Sequence, residues 1–129
     1  MKAKYKKLFS KIKNLKLQEL FCVNAGGCGC FAMMMIEIFK SIEIDPPEII
    51  YCNPNRYAPN HVMLTDGKYC YDSEGVYKKE VIESRYSVLE TETEENLQKD
   101  IDMEGHWNDR FDRRDLDKIK GLVVEAIAA

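Results

Sequence analysis

Three glycines in four positions, Gly26, Gly27 and Gly29, are followed by a run of side chains that is apolar almost all the way round. The glycines permit a tight, unusual backbone and end whatever helix precedes them. From about Cys30 to about Ser41 come Phe31, Ala32, three consecutive methionines, Ile36, Ile38 and Phe39, with only Glu37 and Lys40 charged. A helix with no solvent face belongs at the centre of a domain, so the rest of the chain is expected to wrap around this one. Asp45-Pro46-Pro47 stops it firmly, because proline lacks the amide hydrogen that a helix needs.

The flanking segments supply the wrapping. Residues 3–21 are predicted to form an amphipathic helix on Tyr5, Leu8, Phe9, Ile12, Leu15 and Leu20. Glu48 to Cys52 is predicted as a strand, and residues 53–60 as a loop holding two prolines. His61–Thr65 and Lys68–Asp72 flank Asp66-Gly67, a strong hairpin signal, and Ser73-Glu74-Gly75 closes that unit. Val76 to Leu89 fits a short helix or a strand. Thr91 to Asp102 suits an acidic surface helix or loop, and Asp112 to Ala129 a terminal amphipathic helix. A chain of 129 residues without repeats or linkers is the size of one hydrophobic core. The expectation is therefore a single α+β domain over residues 1–129, its central helix packed on a small antiparallel sheet.

Charge narrows the class of partner. A formal net charge of -3 argues against general nucleic-acid affinity. Seven lysines (2, 4, 6, 7, 11, 13 and 16) crowd the first sixteen residues, whereas Glu74 to Asp117 is dominated by acids. The basic helix or the acidic half offers a surface to a protein partner or an anionic surface, and the bland alternative is a solvated helix face balanced by the acids. No signal peptide is expected, and the longest apolar run, Cys30 to Ile36, is too short to span a bilayer. Five cysteines, an odd number with Cys28 and Cys30 too close to bridge, suit a reduced, cytoplasmic chain.

A reactive cysteine needs its thiolate form, which the unpaired amides and the dipole of a helix N-terminus favour. Cys30 falls at the predicted junction of glycine loop and buried helix. Cys28, in the loop itself, is its rival, while Cys22, Cys52 and Cys70 are expected to be small buried hydrophobes. The stretch Gly27-Cys28-Gly29-Cys30-Phe31-Ala32 resembles the active-site segment of papain-like cysteine peptidases and their transglutaminase-like relatives. Matched on Cys30-Phe31-Ala32, the resemblance implies Cys30 as nucleophile. It also implies an oxyanion-hole amide six positions earlier, where this chain has Asn24.

His61 is the candidate base. If Asp66-Gly67 is a two-residue turn, Thr65 faces Lys68 and His61 faces Asp72, close enough for the carboxylate to accept the imidazole N–H. Val62, Leu64, Tyr69 and Tyr71 then point to the other face, as core. The resemblance implies the same chain order, cysteine then histidine then acid, with histidine and acid on adjacent strands packed against the cysteine helix. His106 lies in a polar stretch with Trp107 and reads as a surface histidine. Arg56, Tyr57, Asn60 and Trp107 are the nearest to substrate-contacting candidates.

Zinc on Cys28, Cys30, His61 and Cys52 or Cys70 is the competing chemistry, but C-x-C is tighter than the usual knuckle spacing. The glycines match no nucleotide-binding fingerprint, and no cofactor is expected. The methionine run is read as adaptable core packing. The sequence thus points to a thiol hydrolase, peptidase or amidase, using Cys30, His61, Asp72 and Asn24 on a peptide or amide. Its alternatives are a transglutaminase-type acyl-transferase and a catalytically inactive binding or regulatory module of the same fold.

Overall fold

The computed structural model describes residues 2–24, 26–54, 60–103 and 111–129. Arg56, Tyr57, His106 and Trp107 lie outside the described residues. The elements are α1 (Lys2–Lys13), α2 (Leu17–Phe21), α3 (Cys28–Ser41), β1 (Glu48–Cys52), β2 (His61–Thr65), β3 (Tyr69–Asp72), β4 (Gly75–Lys78), α4 (Lys79–Arg85), β5 (Leu89–Glu92), α5 (Glu94–Met103) and α6 (Leu116–Ala128), the last preceded by a 3₁₀ turn at Arg113–Asp115. The five strands form one antiparallel sheet in the order β4-β3-β2-β1-β5, so the fold is α+β with α3 packed on the sheet through β2 and β3.

Amphipathic patterning explains the two cores. Val62, Leu64 and Tyr71 alternate with Met63 and Cys70 along β2 and β3, so successive side chains go to opposite faces. One face joins Ile49, Tyr51, Val62, Leu64 and Tyr71 to Phe9 and Ile12 of α1, Phe31, Met35 and Phe39 of α3, and Ile119 and Val123 of α6. Its aromatic centre is Phe9 stacked on Tyr71 at 4.8 Å, with Tyr5 edge-on to Phe39 at 5.4 Å. Met34 and Met35 are buried and Met33 half-buried, so the methionine run does fill the core. On the other face Ile50, Cys52, Met63 and Cys70 form a smaller cluster capped by Ile82 of α4, with Tyr77, Tyr86 and Leu89 around it.

Several boundaries differ from the sequence reading, each for a local reason. The expected helix 3–21 is two helices, because the chain turns at residues 14–16 and Lys16 adopts a left-handed backbone, φ 56°. The ambiguous stretch 76–89 resolves into β4 followed by α4, and the acidic 91–102 into the end of β5 and then α5. The central helix begins at Cys28 rather than about Cys30, with Gly27 as its N-cap.

Candidate active site

The β2–β3 connection sets the histidine and its acid. Leu64 pairs with Tyr71 and Thr65 with Cys70, so the register lies two residues from the two-residue turn expected at Asp66-Gly67. Asp66 widens the turn: one carboxylate oxygen accepts the Lys68 and Tyr69 amides at 2.9 and 2.8 Å, and the other accepts the Tyr71 hydroxyl at 2.5 Å. The Thr65 hydroxyl closes the loop by donating to the Tyr69 carbonyl at 2.8 Å. A shift of two preserves the facing of every side chain. His61 therefore meets Asp72 along the diagonal rather than directly across, and the bond still forms, His61 Nε2 to Asp72 Oδ2 at 2.9 Å.

Both groups are buried, His61 8% and Asp72 5% exposed. Asp72 is fixed in turn by the β3–β4 corner, where its Oδ1 accepts the Glu74 amide at 2.8 Å. Gly75 stands opposite Asp72 at φ 134°, a conformation that glycine alone adopts freely. Tyr86 lies over the imidazole, ring centroids 6.4 Å apart and 24° from parallel. Neither Tyr86 nor Glu74 carried any signal in the sequence that tied it to the histidine.

The thiol beside His61 is Cys28. Burial opposes a charge on the imidazole, but hydrogen bonds to Asp72 and to Cys28 outweigh it and push the His61 pKa up from 6.5 to about 9. With Nε2 committed to Asp72, Nδ1 is the nitrogen left for the sulfur. Cys28 is the first residue of a fourteen-residue helix, among amide hydrogens that have no partner inside the helix. The cysteine next to the histidine is thus Cys28, the rival candidate, rather than the expected Cys30. Residues two apart on a helix point about 200° from each other, so Cys28 and Cys30 cannot both face the histidine. Cys30 is buried on the far side, lining a cavity of about 240 Å³ with Met33, Met34, Gln98, Ile101 and Leu116.

Gly27 holds the helix start in place. A Cβ there would lie 2.5 Å from the Phe111 ring and 2.7 Å from the Val23 carbonyl oxygen, so no side chain fits. Asn24 lies on the wall of the site, but its amide is turned to the β3–β4 corner. Its Nδ2 donates to Glu74 at 2.9 Å, and its carbonyl oxygen accepts the Ser73 hydroxyl at 3.2 Å. Its backbone amide donates to Gln18 Oε1 at 2.5 Å, which ties α2 to the glycine loop. The oxyanion role expected of Asn24 thus competes with a structural one.

A cavity of about 180 Å³ opens beside the imidazole, lined by Asn24, Asn60, His61, Asp72, Glu74, Arg85 and Tyr86 among others. Asn60, expected near substrate, is in that wall. The remaining cysteines are differently placed. Burial, then the neighbouring Cys70, pushes the Cys52 thiol up to about 12, and burial raises Cys70. No disulfide joins any of the five. Among the described residues, no three His, Cys, Asp or Glu side chains are arranged to hold a metal ion, and no helix is long and apolar enough to cross a membrane. Comparison with protein-family models, with curated proteins and with solved structures found no match.

Proposed function

We propose that this chain is a cysteine-dependent hydrolase, a peptidase or amidase, with Cys28 as nucleophile, His61 as its proton partner and Asp72 as the residue that positions the imidazole. One observation carries the reading: a half-buried thiol at the first residue of a helix lies beside a buried imidazole whose Nε2 is bound by a carboxylate. A protonated imidazole beside a sulfur at a helix start is the charge arrangement that favours the thiolate.

The chemistry follows from that arrangement. The Cys28 sulfur attacks the substrate carbonyl carbon, and the displaced electron pair moves onto the carbonyl oxygen. First-turn amides of α3 are the nearest preorganised donors for that oxyanion. Collapse expels the amine, which takes the proton from His61 Nδ1 and leaves a thioester on Cys28. Neutral His61 then removes a proton from water, and the resulting hydroxide cleaves the thioester, regenerating thiolate and imidazolium. An amine in place of water makes the same site an acyl-transferase. A helix-borne thiol packed against an antiparallel sheet that carries histidine and acid is also what the resemblance to papain-like and transglutaminase-like enzymes implies, and it supports a peptide or isopeptide carbonyl as the substrate. A cytoplasmic, reducing setting belongs to the same proposal, because the nucleophile must stay unoxidised.

The experiment is competitive alkylation. Limiting iodoacetamide at about pH 6, far below the ordinary thiol value of about 8.5, is followed by peptide mass mapping of all five cysteines. Cys22, also half-buried, is the matched control. Cys28 is expected to react first, and Asp72→Asn to slow it. Equal labelling of Cys28 and Cys22 removes the basis of the proposal.

A further inference from the structure

The lysines of α1 do not stand alone in the fold. α1 packs over β3 and β4, and this brings lysines from three elements onto one surface. Lys6 holds its ammonium 4.4 Å from the centre of the Tyr69 ring, and Lys68 approaches the same ring at 6.0 Å. Lys78 is the direct strand partner of Tyr69, and the Lys79 amide donates to the Lys68 carbonyl at 3.1 Å. Lys4, Lys6, Lys7, Lys13, Lys68 and Lys78 are all exposed. The carboxylate inside the patch, Asp66, spends its oxygens on the turn amides and the Tyr71 hydroxyl. Like charges gathered this way repel, a cost that an anionic partner removes.

The patch also leads to the site. The Lys13 side chain lies across Gly75, where an added Cβ would sit 3.1 Å from Lys13 Cδ. The neighbouring residue, Glu74, forms part of the wall of the His61 cavity. The apolar side of α1, with Tyr5, Phe9 and Ile12, is spent on the core, so the helix has no greasy face to lay into a bilayer. What remains is a polar, positively charged track that ends beside Glu74.

We propose that this track is a docking surface for an acidic stretch of polypeptide, which it holds while a neighbouring amide reaches Cys28. The inference rests on the thiol-hydrolase reading in one respect: a carbonyl must be delivered to the sulfur, and among linear polyanions an Asp- and Glu-rich chain carries one at every residue, whereas a nucleic acid backbone carries none. The basic track sets where the polymer lies, and the cavity beside His61 sets which side chain it presents.

The test is fluorescence anisotropy of a labelled glutamate-rich peptide titrated with the Cys28→Ala protein, which binds without turning the peptide over. The combined Lys6→Gln, Lys13→Gln and Lys68→Gln variant is expected to bind roughly tenfold or more weakly, and added salt to narrow the difference. Circular dichroism of that variant checks that it is folded, and single substitutions replace it if it is not. Unchanged affinity in the folded lysine variants overturns the proposal. So does tighter binding of an oligonucleotide of the same charge than of the peptide. Cys28 alkylation in the protein that keeps the thiol, with and without the three lysine substitutions, separates the two readings. A Cys28 no more reactive than Cys22 sinks the thiol chemistry on its own, whereas rapid alkylation combined with no lysine-dependent peptide binding sinks only the docking surface.

Discussion

Cys28 and Cys30 are two residues apart on α3, yet the fold puts them in unrelated surroundings. Cys28 is at the helix start, half-buried and beside a buried imidazole. Cys30 faces the groove between α3, α5 and α6 among Met33, Ile101 and Leu116. The surroundings of each follow from its angle about the helix axis. Type of residue and neighbourhood in sequence are the same. What separates the two thiols here is the direction in which the helix points them.

The sharpest way to break that contrast is to remove each sulfur in turn. Cys28→Ala is expected to abolish acyl transfer, a loss of about a thousandfold or more in the rate of thioester formation from an activated ester. Cys30→Ala is expected to leave that rate within about twofold, since its side chain lines the groove between α3, α5 and α6. Burst kinetics with a chromogenic ester measures both. Equal losses in the two variants would mean that the sulfurs are not functionally distinct.

Asp72→Asn acts on the Cys28 side alone and should cost about a hundredfold in the same assay, because the imidazole loses the carboxylate that fixes its tautomer and holds its charge. Burial then works against the proton unopposed by Asp72, so the His61 titration seen by NMR moves down from about 9. Stability should follow the same linkage. A folded-state pKa raised from 6.5 to about 9 gives a contribution that is complete below about pH 6.5 and is lost as pH rises through about 9. Chemical unfolding across that range is expected to show a decline in the parent protein that Asp72→Asn largely removes. A parent profile that stays flat would mean that His61 is not held charged in the folded state.

The α+β class, the buried central helix and the His61–Asp72 partnership were legible in the sequence, for reasons that survive small errors. Alternation along β2 and β3 has a period of two, so a register wrong by two residues still left His61 and Asp72 on one face. The choice between Cys28 and Cys30 had no such tolerance, because a helix turns about 100° per residue and an error of two reverses the direction. Glycine content marked the loop but not the residue that caps the helix. Gly27 takes that position because Phe111, far along the chain, leaves it no room for a side chain. Asp66 was equally hidden: an Asp-Gly pair signals a tight turn, and only the fold shows its carboxylate drawn to Tyr71. The stacking of Tyr86 on His61 depends on how α4 leaves the sheet, which no local pattern encodes.

The geometry of the helix start can be disturbed without touching either sulfur. Gly27→Ala places a Cβ 2.5 Å from the Phe111 ring and 2.7 Å from the Val23 carbonyl, so the first turn of α3 or residue 111 must move. Overpacking of that kind costs about 1–3 kcal/mol. It is expected to slow Cys28 alkylation while leaving the packing of Cys30 unchanged. Gly29→Ala is the graded counterpart. Its Cβ would meet Leu97 Cδ1 at 3.3 Å and Ile101 and Val62 at 3.7 and 3.9 Å, flexible side-chain atoms that give way by tenths of an ångström. Alanine also favours the helix by up to about 1 kcal/mol over glycine, so the net effect on stability should lie within about 1 kcal/mol of zero. Denaturant midpoints for the two variants read the ordering directly. If Gly29→Ala proves the more damaging, contact with α5 rather than the Gly27 cap sets the start of α3, and the position of Cys28 must be explained from that side.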